Sequence, residues 1–100
     1  MPTHYETATF LHDYARLTPV QRARFNTALR RFISDLRAME AGERDRFRPG
    51  LRVRVVRGQP GTFEMSWDSD GRATFSFGTP INPGSRHVQW HRCGSHNILP

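Results

Sequence analysis

The chain has 100 residues, a formal charge of +6 with its histidines neutral, and a pI near 11.2. That length makes one small domain, and 36% hydrophobic residues supply one modest core and not a second. A single cysteine, Cys93, excludes an intramolecular disulfide, and no apolar run reaches the length of a membrane-spanning helix.

The expectation is a soluble, cytoplasmic chain, because His4, Glu6 and His12 interrupt any apolar run of the signal-peptide kind. All fifteen basic side chains are arginine and none is lysine. Guanidinium matches phosphate and carboxylate with a planar fork of donors, so the charge favours a polyanionic partner. A base-composition bias would remove lysine in the same way, and the charge stands under either origin.

Two helices come first. Phe10, Leu11, Tyr14 and Leu17 share one helical face over residues 8–16, with Thr7 as N-cap. Thr18, Pro19 and Gln21 form a capping box with proline at the first helical position. The helix they open runs to about Ala41 on a stripe of Phe25, Leu29, Phe32, Ile33, Leu36 and Met39, and Gly42 stops it. Residues 43–50 read as a charged connector closed by Pro49 and Gly50.

Strands are expected over 51–57, 62–67, 72–77 and 87–93. Apolar residues recur there at every second position: Val53 and Val55; Phe63, Met65 and Trp67; Ala73, Phe75 and Phe77; Val88 and Trp90. The residues between them form the opposite face: Arg52, Arg54, Glu64, Ser66, Arg72, Thr74, Ser76, His87, Gln89, His91 and Cys93. Turns at 58–61 and 68–71 favour antiparallel neighbours. The expected fold is α+β in two layers, an N-terminal helical hairpin (about 8–41) packed on one face of a four-stranded antiparallel sheet (about 51–96). A short edge strand at residues 3–6 stays an open alternative.

Three segments carry a resemblance. They are Gly61-Thr-Phe-Glu-Met-Ser-Trp67, Asp70-Gly-Arg-Ala-Thr-Phe-Ser-Phe77 and Trp90-His-Arg-Cys-Gly-Ser-His96. Together they resemble the RelE/ParE superfamily of type II toxins, and the ending Arg92-Cys-Gly-Ser-His96 is similar to that of YafQ-like toxins. The resemblance implies a single RelE-like toxin domain over residues 1–100. It implies an mRNA interferase acting on the ribosome, a cognate antitoxin, and cleavage by 2′-hydroxyl attack with no cofactor or metal. The chain departs from the family pattern at Thr74, where many members carry arginine, and at Leu99 and Pro100, where an aromatic is expected.

Within that frame His96 matches the family's catalytic histidine, and an imidazole can give or take a proton near neutral pH. A turn-capping role is its bland alternative. His91 is the second candidate for proton transfer, and His87 is expected at the surface. Arg52 and Arg54 are expected side by side on one strand, spaced for successive RNA phosphates, with Arg57 leaning out at the strand's end. Arg72 and Arg54 are candidates to stabilise phosphorane charge, and Glu64 to orient them or serve as base.

Trp67, Phe75, Phe77 and Trp90 are expected in the core. His87, His91, Cys93 and His96 together invite a zinc reading, but they lack paired ligand spacing, so no metal is expected. Two rivals remain. One is a ParE-like toxin that binds DNA gyrase without cleaving RNA, and the other is an RNA-binding module with no catalysis.

Overall fold

The computed structural model describes residues 2–100. It is an α+β fold of two helices and one five-stranded sheet. In chain order the elements are β1 (Thr3–Glu6), α1 (Ala8–Arg16), α2 (Pro19–Glu40), a 3-10 turn (Pro49–Leu51), β2 (Arg54–Val55), β3 (Thr62–Ser66), β4 (Gly71–Gly78), β5 (His87–Ser95) and a last 3-10 turn (His96–Ile98). The spatial order is β1-β5-β4-β3-β2. The sheet is therefore five-stranded and mixed, where four antiparallel strands are expected from the sequence. Residues 3–6 supply the fifth strand, parallel to β5. No helix among the described residues is long and apolar enough to cross a membrane.

Both helices begin where their caps require. The Thr7 hydroxyl accepts from Phe10 N at 3.0 Å. Thr18 and Gln21 complete the reciprocal box, with Gln21 N donating to Thr18 Oγ1 at 3.1 Å and Thr18 N to Gln21 Oε1 at 2.8 Å. The helices meet through Phe10 and Phe25 and through the Tyr14–Asn26 hydrogen bond. Phe25, Ala28, Phe32 and Leu36 of α2 are buried against Met65, Trp67, Ala73, Phe75, Val88 and Trp90 of the sheet. The aromatic residues expected in the core are there, except that Phe77 is only partly buried beneath the Arg86 guanidinium, 4.5 Å from its ring centre.

The connector is better anchored than its composition suggests. Asp35, 1% exposed on α2, takes the Arg48 fork, with Nη2 at 2.7 Å from Oδ1 and Nε at 2.9 Å from Oδ2. Arg48 N donates to the same carboxylate at 2.8 Å and Arg44 Nη1 at 3.4 Å. The Arg48 hydrogen bonds hold the Asp35 carboxyl below its ordinary range, against the upward push of burial. Phe47 stacks on Phe32 at 4.7 Å. The connector then closes in the 3-10 turn Pro49–Leu51, which takes up the first residues of the expected strand.

The strand expected over 51–57 is accordingly cut to Arg54–Val55. Arg52 closes the first 3-10 turn with φ +49°, a left-handed backbone that costs a non-glycine residue roughly 1 kcal/mol. It therefore does not stand beside Arg54 on a strand. Val55 is 54% exposed at the sheet's edge, beyond the cover of two helices, while its neighbour Val56 is 2% exposed.

Two stability tests come from this packing. Asp35→Asn leaves the Arg48 fork without its anion and should cost about 3 kcal/mol, read as a Tm drop of roughly 10–20 °C near neutral pH. The folded-state pKa lies below the unfolded value of 3.8, so this stabilisation is complete above that pH. It is lost as pH falls through the folded pKa, and the gap between variant and wild type should close once the Asp35 carboxylate is protonated in the folded protein. A gap independent of acid would refute the ion pair's role.

The second test concerns Gly71, where an added Cβ would lie 2.5 Å from the Trp67 ring. Gly71→Ala should cost about 1–3 kcal/mol by overpacking, and an unchanged melting curve would show that the ring is free to move.

Candidate functional site

The sheet face turned away from the helices carries its polar residues in rows set by strand register. Arg54 pairs Glu64, Glu64 pairs Thr74, and Thr74 pairs Arg92, so one row crosses four strands. Beside it run Ser66, Arg72 and Gly94 on one flank and Thr62, Ser76 and Gln89 on the other. Glu64 is 5% exposed at the centre. Arg54 Nε donates to its Oε1 at 2.9 Å, while the rest of the Arg54 side chain stays 56% exposed. One end of the Arg54 fork is thus held and the other faces solvent.

Arg72 is built differently. Its Nη1 donates to the carbonyls of Asp68, Ser69 and Gly71, so the guanidinium organises the β3–β4 turn. Its Nε is buried without a hydrogen-bond partner, 4.0 Å from Glu64 Oε1. The same turn holds His96, whose backbone N donates to Asp70 Oδ1 at 3.4 Å. The His96 residue is exposed. Across the turn, Arg24 of α2 donates to Asp68 Oδ2 at 2.9 Å, and that bond holds the Asp68 carboxyl below its ordinary range.

A bulge decides what β5 shows to this face. Thr74 pairs Arg92 but Phe75 pairs Trp90, so His91 is the extra residue. It shares a hydrogen bond of 2.7 Å with Ser76 Oγ. The bulge also inverts the alternation beyond it. Cys93, expected on the polar face, is 2% exposed in the core opposite Ala73. Burial pushes its thiol up to about 12, so it stays protonated at neutral pH.

His87, expected at the surface, is 9% exposed and bonded to Thr3 Oγ1 at 2.8 Å. The four side chains of the zinc reading are therefore spread over the core, the β1 edge, the polar face and the last turn.

The bulge sits where β5 loses its neighbour. β1 ends at Glu6, and α1 takes over the open edge. Thr7 N donates to Trp90 O at 3.1 Å and Thr7 Oγ1 to His91 O at 3.0 Å. The buried Asp13 accepts from Cys93 N at 3.2 Å and from Arg92 Nε at 2.7 Å. Asp13, Arg92 and Ser76 are not singled out by sequence reasoning. The signal for them is the spacing of Trp90 and Cys93, three residues apart, which breaks a period of two.

The face is not wholly polar. The last turn folds back so that Ile98 Cγ2 would lie 3.0 Å from a Cβ on Gly94, a tight contact that a larger residue there would relieve only by shifting the Ile98 tip. Ile98 and Pro100 line one hollow of about 380 Å³ with Val56, Thr62, Thr74 and His91. His91 and His96 are five residues apart on a mostly extended chain, about 15 Å between Cα atoms. Arg57 is exposed in the β2–β3 connection, as expected.

No family model matches the chain, and no curated protein matches its sequence. Solved structures do match. The E. coli DinJ–YafQ complex contains a chain similar to this one at 10% identity and TM-score 0.65, over 99% of this chain and 98% of that one. The YoeB/ParE toxin from Agrobacterium tumefaciens gives 12% identity and 0.62, over 94% and 98%. A copper-bound mutant toxin from Helicobacter pylori gives 14% and 0.61 over the full length of both. Along nearly all of its length the chain has the fold of RelE/YafQ-type toxin structures.

Proposed function

We propose that this chain is the toxin of a type II toxin–antitoxin system, an endoribonuclease that cuts mRNA on the ribosome by metal-independent attack of a ribose 2′-hydroxyl. The observation that carries this reading is an exposed imidazole, His96, at the end of the arginine-bearing face of a toxin fold. A base takes the 2′-hydroxyl proton, cations stabilise the phosphorane, and an acid protonates the leaving 5′ oxygen.

His96 is the group that gives or takes a proton. The solvent-facing end of the Arg54 fork meets phosphorane charge, and Glu64 aims it. Arg72 organises the β3–β4 turn through the carbonyls it holds, and Asp70 of that turn accepts from the His96 backbone N. His91, about 15 Å along the chain from His96, is assigned to the message with Ser76, rather than to the same phosphate. Arg52 and Arg57 add attraction for the RNA backbone. The partner is an antitoxin with an acidic or amphipathic segment laid over the basic face or the helices, in keeping with the DinJ–YafQ pairing of the E. coli relative.

One observation favours a second reading. Thr74, 6% exposed, holds the central position of the face without a charge, and Arg72 is committed to its turn. A non-cleaving toxin that binds gyrase would tolerate both.

Induced expression in a bacterial host with mapping of mRNA 5′ ends separates them. Growth arrest with codon-phased cuts, abolished by His96→Ala, is the expected result. Arrest without cuts would select the gyrase-type reading, and no arrest from folded protein would remove the toxin assignment for that host. In the purified system Arg54→Ala should slow cleavage about 100-fold, and Glu64→Gln about 10-fold because the amide keeps one hydrogen bond. Equal losses from both would show that Glu64 acts in the chemistry itself.

A further inference from the structure

The two edges of the sheet are built differently. β2 ends one of them with only Arg54 and Val55, and a strand that short and charged is blunted against further pairing. β1 ends the other, with no lysine, proline or bulge within it. Thr3 N donates to Arg86 O and Thr7 N to Trp90 O, so the alternation of a strand turns Tyr5 N toward β5 as well. The N–H and C=O groups of His4 and Glu6 therefore point outward, with no strand beyond them among the described residues. Tyr5 is 58% exposed.

We infer that this edge docks a second copy of the chain, β1 pairing antiparallel with its own equivalent about a two-fold axis through Tyr5. The run Thr3-His-Tyr-Glu-Thr7 is self-complementary in that register. His4 meets Glu6 of the second copy, Glu6 meets its His4, and the outward backbone groups of each pair exchange both hydrogen bonds. His4 and Glu6 share the sheet face of Val88 and Trp90. His4 Nδ1 already donates to Glu6 Oε2 within one chain, so two imidazoles and two carboxylates alternate around a closed ring. On the opposite face Tyr5 meets Tyr5, an aromatic cross-strand pair. A slip of two residues would set His4 against His4 or Glu6 against Glu6, which fixes the register.

A largely apolar hollow of about 440 Å³ lies over the same edge, between β1 and the two helices, with Phe10, Leu11, Leu29 and Ile33 among its walls. Leu11 and Ile33 are exposed. The two-fold axis stands normal to the sheet, so both hollows lie on one side of it and each gains cover from the other copy. The pairing joins two five-stranded sheets into one, with both Glu64 rows on a single surface. The contact is small and belongs to the weak, reversible class of interface. It holds whatever the substrate of the polar face.

Sedimentation velocity of the full chain from about 10 μM to about 1 mM tests it, each variant first checked for a wild-type melt. Wild type should pass from monomer to dimer within that range. Tyr5→Lys, which sets two ammonium groups opposite each other, should weaken the dimer at least about tenfold. His4→Glu and Glu6→His should each weaken it about fivefold, and the double swap, which restores the alternating ring, should return it to within about twofold of wild type.

Amide exchange on wild type gives a readout free of substitutions. The His4 and Glu6 amides should slow about tenfold between the dilute and concentrated ends of the range, while the Tyr5 amide, bonded to β5 in either state, should not change. A monomer throughout would overturn the inference and leave the edge to a strand of a different protein. A dimer indifferent to Tyr5→Lys, a swapped chain as weak as its single variants, or unchanged His4 and Glu6 amides would overturn it in favour of another face.

Discussion

The fold depends on the ring of Phe32. It is 1% exposed, and its centre lies 4.9 Å from Phe75, 5.1 Å from Trp90 and 4.7 Å from Phe47. One side chain thus joins α2 to β4, β5 and the connector. Rings of this size contribute about 2–3 kcal/mol each when fully buried, with a further term for their mutual geometry. With Phe32 directed at the sheet, the helical repeat places Asp35 one turn further on, where the Arg48 fork meets it. The same repeat leaves Arg24 and Arg31 on the flank. The aromatic cluster occupies only one side of the sheet, so the other side is left for charge.

On that second side, register does what composition cannot. Arginines and a carboxylate scattered over forty positions become a single row because β2, β3, β4 and β5 pair without a slip until Thr74. Glu64 is buried there because Arg54 satisfies it, and an unpaired carboxylate at that depth would be costly. The row then ends in a bulge at the point where β5 passes from β1 to α1. A strand edge with a helix lying against it needs acceptors for its free N–H groups, and Asp13 supplies one.

Most of the architecture was legible from patterns of short range. The capping box, the α2 stripe from Phe25 to Leu36 and the alternation through Phe63–Trp67 and Ala73–Phe77 are local, and local pattern reports them well. The resemblance of the Arg92–His96 ending agrees with the fold of the toxin structures. The departures are all long-range. Arg52 left its expected strand because Asp35 draws the connector back onto α2, seventeen positions earlier. Cys93 changed faces because of a bulge that depends on an edge provided by residues 6–13. The β1 strand was undecidable from four residues, since its pairing partner is the last strand of the sheet.

That pairing governs when the molecule can exist. Thr3 meets His87, and Thr7 meets His91, across 84 positions of sequence. Their loop must close before β1 contributes anything, a topology that makes folding slow relative to helical bundles. During synthesis the helices and the β3–β4 hairpin can form as they emerge, but the β5 strand that completes the polar row is made last. The charged face is consequently assembled only after residue 95 has left the ribosome. A nascent chain of this protein is a basic, partly folded segment without a finished surface, and the finished surface appears in one late step.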